Sequence, residues 1–140
     1  EKSLFAPALE SLTDNGFERD VACYLDSQAA LQWWHRNVAK AQYGLQGWKG
    51  NKVYPDFVFA KVSGAGHNTV VVLETKGLHL KGSDDTQYKQ ALLERLTQAF
   101  AQQSLSSAGQ VEVIGDTNAL VCDLVFDTAW AGSLNARHFH

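Results

Sequence analysis

The chain has 140 residues, room for a single core but not for a second sizeable domain, and its 45% apolar and 19% charged content is that of a soluble globular protein. Its longest clear apolar run, Val70-Val71-Val72-Leu73, is far below the roughly 20 residues of a membrane-spanning helix, so no membrane partner is expected. A net charge of -3 argues at first against nucleic acid, but seven basic residues (Arg36, Lys40, Lys49, Lys52, Lys61, Lys76, Lys81) and only two acidic ones (Asp56, Glu74) fall between positions 36 and 81, a local excess of five positive charges in an otherwise acidic chain.

Helix-start chemistry opens the first element. Asn15 is a candidate cap, Glu18 stands at the capping-box position, and Phe17, Val21, Tyr24 and Leu25 recur at helical spacing, so a helix is expected over 15–26. Ala30 to Trp34, rich in aromatics, reads as a strand ending near Arg36-Asn37; for Trp33 and Trp34 core packing is the stronger reading than base stacking. A long loop with Gly44, Gly47 and Gly50 follows from about Val38 to Val53, and loops of this length usually carry function. Val53 to Val62 reads as a strand, Ser63 to Asn68 as a turn, and Thr69 to Lys76 as a strand buried on both faces, together making a hairpin.

From Asp84 to about Gln103, Tyr88, Leu92, Leu96, Ala99 and Phe100 mark an amphipathic helix with Asp84 and Asp85 at its positive end. Val111 to Ile114 and Ala119 to Phe126 read as two closing strands around a Gly115-Asp116-Thr117-Asn118 turn. The order α-β-β-β-α-β-β implies an α/β fold, a mixed sheet with helices packed on it. Cys23 and Cys122 lie in apolar patterns without metal-ligand spacing and read as buried, reduced thiols of a cytoplasmic protein. The histidines form no metal motif; His138 and His140 lie too near the end to carry one.

Glu74 and Lys76, two apart on a strand, point the same way. A hairpin turn centred on Ala65 sets Asp56 opposite Glu74, and one centred on Gly66 sets it opposite Lys76. An odd register would send Asp56 to the other face. Two carboxylates beside a lysine suit a hard divalent cation with oxygen ligands, which can hold a phosphodiester oxygen and activate water while the lysine steadies developing charge.

The segments Val53-Tyr54-Pro55-Asp56-Phe57-Val58 and Val71-Val72-Leu73-Glu74-Thr75-Lys76-Gly77 resemble the PD-(D/E)xK nuclease superfamily. Asn15-Gly16-Phe17-Glu18, Trp33-Trp34-His35-Arg36-Asn37 and Asp85-Thr86 with Tyr88-Lys89 extend the resemblance, over roughly residues 15 to 100, to the C-terminal nuclease region of the restriction subunit of type III restriction enzymes and related restriction helicases. The resemblance implies a restriction-endonuclease-like core and a Mg²⁺-dependent endodeoxyribonuclease, with Mn²⁺ as a substitute. Asp56, Glu74 and Lys76 would be catalytic, and Asp56, Glu74, the Thr75 carbonyl and, more loosely, Glu18 would hold the metal. Arg36, Asn37 and Lys89 would touch DNA phosphate or support the site.

No Gly-x-x-x-x-Gly-Lys-[Ser/Thr] loop is present, so ATP would act only through a motor domain elsewhere. With a first residue other than Met, the expectation is a single nuclease domain over 1–140 cut from the C-terminal end of a longer helicase-containing protein that works with a modification subunit. The competing expectations are a non-catalytic nucleic-acid-binding module and a repair or recombination nuclease of the same superfamily.

Overall fold

The structure, a computed structural model, describes residues 2–3, 16–62, 68–103, 107–108, 111–112 and 119–140. Helix α1 spans Gly16–Ser27 and buries Glu18, Val21, Ala22 and Leu25, a stripe at helical spacing. The expected cap Asn15, the hairpin turn over 63–67 and the turn over 115–118 lie outside the described residues.

Strands β1 (Leu31–Arg36), β2 (Phe57–Val62) and β3 (Asn68–Lys76) form an antiparallel meander. An irregularity between Leu31 and Trp33 puts the even-numbered Trp34 in the same packing layer as Leu31, as an extra residue in a strand does. Residue β2 begins at is Phe57 rather than Val53, because Val53 instead pairs with Leu45 across the long loop, 2.8 Å and 2.7 Å in the two directions. Helix α2 (Asp84–Gln103) then carries the chain over the sheet. Strand β6 (Ala119–Phe126) lies parallel to β3, giving the order β1-β2-β3-β6.

The sequence reading placed Val111 to Ile114 beside the last strand. The described part, β5 (Val111–Glu112), pairs instead with β4 (Ser107–Ala108) in a separate two-stranded ribbon. A short helix α3 (Trp130–Leu134) and a π-helical turn (Asn135–Phe139), neither expected, close the described chain.

Parity along β2 and β3 sorts the core into two layers. Phe57, Phe59, Val71 and Leu73 face α1 and α3, meeting Val21, Leu25 and Leu134. Val58 and Val72 face α2, meeting Leu92 and Leu93, and are joined by Leu120, Cys122 and Leu124 of β6. The result is a mixed α/β fold of three layers, helices on both faces of a four-stranded mixed sheet. Strand β3 is buried on both faces, as its unbroken apolar run requires.

Cys122 is buried, which pushes its thiol up to about 12. Cys23 is exposed, against expectation, because it falls between the buried positions of the α1 stripe. His138, discounted as a tail residue, is buried; its Nε2 pairs with Asp123 Oδ2 at 2.9 Å and its ring meets Phe59 edge-on. Burial would raise the Asp123 carboxyl, but hydrogen bonds from His138 and Arg137 outweigh that and hold it below the usual range.

Candidate functional site

The β2–β3 register pairs Phe57 with Leu73 and Val62 with Asn68, the even register of a turn centred on Ala65. One step beyond that ladder, Asp56 donates its N–H to the Leu73 carbonyl at 3.0 Å, so it stands at the end of β2 beside Glu74. Glu74 and Lys76 lie on the even-numbered side, toward α2.

The loop before β2 holds Asp56 from behind. Asn37, 1% exposed, donates its side-chain N–H to the carbonyls of Tyr43 (2.6 Å) and Pro55 (2.9 Å), and its own N–H to the Asp56 carbonyl at 2.7 Å. Asp56 Oδ2 then accepts from both the N–H and the hydroxyl of Thr75, each at 2.7 Å. The Thr75 N–H therefore points to the β2 side, and its carbonyl lies on that same edge of β3.

Glu74 is 3% exposed. Its Oε1 accepts from Lys89 Nζ of α2 at 2.6 Å and lies 3.8 Å from Lys76 Nζ, while its Oε2 is buried with no hydrogen-bond partner. Lys76 Nζ is 3.0 Å from Asp85 Oδ2, and Lys89 is 3.6 Å from the same oxygen, so the two lysines bridge both carboxylates. Burial pushes the Glu74 carboxyl up and the Asp56 charge pushes it further; Lys89 and Lys76 offset only part of this, leaving it at about 7. For Lys89, burial acts to lower the ammonium pKa, but the Glu74 and Asp85 carboxylates outweigh it and raise it.

An acid raised in this way binds its proton more tightly folded than unfolded. The stability it confers is full below its ordinary value of 4.5 and is lost as pH rises through about 7. Metal-free protein should therefore lose on the order of 3 kcal/mol between pH 5 and pH 8 from this group. Urea denaturation across that range checks it, with Glu74→Gln expected to flatten this component; an identical pH profile in the variant would refute the assignment.

The donor set suits a hard cation: two carboxylates of which one oxygen is orphaned and buried, and a main-chain carbonyl on the same edge. Among the described residues no group of three or more His, Cys, Asp or Glu is placed to share a metal. Glu18 is paired on the first helix. It is buried on α1, where Arg36 donates to it through Nε at 2.9 Å and through Nη2. Arg36 also reaches the Asn37 carbonyl, and Asn37 holds loop carbonyls, so both brace the segment that leads into Asp56.

Two partners escaped the sequence reading, the Thr75 hydroxyl on Asp56 and Asp85 as anchor of both lysines. The four-residue spacing of Asp85 and Lys89 on a helix face was the available signal for the second. No protein-family model matches this chain, and neither the curated proteins nor the solved structures hold a match to it.

Proposed function

We propose that the chain is a Mg²⁺-dependent endodeoxyribonuclease domain of the PD-(D/E)xK type, working in a type III-like restriction system with Asp56, Glu74 and Lys76 as its catalytic residues. The observation that carries this reading is Glu74: a carboxylate at the end of a central strand, buried beside a second carboxylate, with one oxygen left without a partner. Burial of an uncompensated polar oxygen is costly and is retained where function needs it.

Asp56, Glu74 and the Thr75 carbonyl are the residues that would hold Mg²⁺, with Mn²⁺ as a substitute. The bound ion would supply Lewis acidity and a more acidic water at the scissile phosphate. Thr75 fixes the Asp56 carboxylate through two hydrogen bonds. Lys76 places a positive charge 3.8 Å from Glu74 Oε1, where it can donate to a non-bridging phosphate oxygen as charge develops there. Lys89 neutralises Glu74 and borders the cleft that α2 shares with the Lys49–Tyr54 loop, whose lysines face phosphate. In this reading ATP acts through a motor domain of the parent protein, and a modification subunit selects the target. No helix among the described residues is long and apolar enough to cross a membrane.

One observation favours a second reading, a non-catalytic DNA-binding module: Lys89 already pairs with Glu74, and among the described residues no group of three or more His, Cys, Asp or Glu is placed to share a metal. A cleavage assay separates the two. Duplex DNA should be cut in Mg²⁺ or Mn²⁺ and left intact in EDTA, and Lys76→Ala should slow cutting by about 10²-fold. Salt-sensitive binding without cutting in either metal, by this chain and by a motor-containing parent, would favour the second reading.

A further inference from the structure

The long loop between β1 and β2 carries a feature outside the carboxylate site. Trp48 is 53% exposed, yet it is held firmly. The Tyr88 ring of α2 meets it edge-on at 4.9 Å, and the Arg95 guanidinium lies 4.5 Å over it. Lys49 Nζ in turn lies 4.6 Å over the Tyr88 ring, and the Lys49 N–H donates to the Tyr88 hydroxyl at 3.4 Å. The loop approaches α2 so closely that a Cβ at Gly47 would come within 2.2 Å of the Tyr88 hydroxyl, so any larger residue there would displace the Tyr88 side chain. The Leu45–Val53 bridge closes its base, and Gln46 Nε2 donates to the Lys49 carbonyl at 2.9 Å.

A cleft of about 490 Å³ opens from here, lined among others by Lys49, Lys52 and Tyr88, and by Asp85 and Lys89 of the carboxylate site. An exposed indole with Arg95 over it thus stands against Tyr88, at a cleft lined by Lys49 and Lys52 and reaching Lys89, the partner of Glu74. Basic groups alone suit any phosphate backbone. The exposed half of the indole beside them suits the flat face of an unstacked base, which a continuous duplex does not present.

We infer that Trp48 is a stacking platform for an unpaired base, with Lys49, Lys52 and Arg95 holding the neighbouring phosphates, so that the cleft takes single-stranded DNA alongside the Glu74 site. The choice of DNA rests on the proposed nuclease function, whereas the stacking itself does not depend on catalysis.

The test is anisotropy of the full chain with a labelled oligothymidylate of about 20 nucleotides and with a duplex of the same length, in EDTA so that nothing is cut. Trp48→Ala should weaken single-strand binding by about ten-fold and duplex binding by less than about two-fold, with Trp48→Phe retaining most of the affinity. Lys49→Ala combined with Lys52→Ala should weaken single-strand binding and lower its salt slope by about 1.4. Unchanged single-strand binding by Trp48→Ala, an equal loss on both substrates, or an unchanged salt slope would overturn the inference. Wild-type protein that binds the single strand through Trp48 but never cuts DNA in Mg²⁺ would sustain it while refuting the nuclease reading.

Discussion

Replacing Glu74 by Gln is expected to lower Mg²⁺-dependent DNA cutting by at least about 10³-fold while leaving the fold intact. A divalent ion contributes several kcal/mol to the transition state of phosphodiester hydrolysis, and each 1.4 kcal/mol is about ten-fold in rate. Gln fits the same space and still accepts from Lys89, but it offers the metal a neutral oxygen where Glu74 has its orphaned Oε2. The substitution also removes the unfavourable ionisation of a buried acid beside Asp56, so metal-free Glu74→Gln should be the more stable protein at pH 8. Single-turnover cleavage in Mg²⁺ and urea denaturation in EDTA measure the two effects. Undiminished cutting by the variant would sink the assignment of Glu74.

Asn37→Ala is expected to cost about 2–3 kcal/mol and to slow cutting about ten-fold through Asp56. The side chain supplies the hydrogen bonds described for the Tyr43 and Pro55 carbonyls, and a buried acceptor left without its donor costs about 1–3 kcal/mol. The buried Oδ1 of Asn37 lacks a partner, so its removal offsets part of that cost. Pro55 immediately precedes Asp56, and a loosened Pro55 carbonyl lets the carboxylate drift from Thr75. Small displacements of this kind carry large rate penalties. Urea midpoints and cleavage rates well below the melting temperature decide it; a loss under about 1 kcal/mol would show that the loop is held by other contacts.

Much of the frame is legible in the sequence. Period-3.6 patterns locate α1 and α2, and an aromatic run and an unbroken apolar run locate β1 and β3, to within a residue or so at most ends. The even register of the hairpin, which the sequence left open between two turn centres, is settled by the pairing of Phe57 with Leu73. Tertiary partners were less readable. Glu18 satisfies capping and ligand patterns equally well, and its pairing with Arg36, eighteen residues on, leaves no local period to read. The Val53 pairing with Leu45, which delays the start of β2, depends on how a long loop folds back and leaves no local period. The spacing of Trp130, Leu134 and His138 held a helical signal, obscured by its shortness and its place near the chain end.

The parallel pairing of β3 with β6 bears on the order of assembly. Thr69 meets Ala119 and Lys76 meets Phe126, contacts fifty residues apart, whereas Val62 meets Asn68 across a short turn. Closing the short loop costs little entropy and takes microseconds, and the distant pairing waits on the intervening helix. Asp56, Glu74, Thr75, Lys76, Asp85 and Lys89 all belong to the hairpin and that helix. The carboxylates and their lysines can thus meet early in folding, and the arrival of β6 beside Glu74 and Thr75 completes the burial of those two.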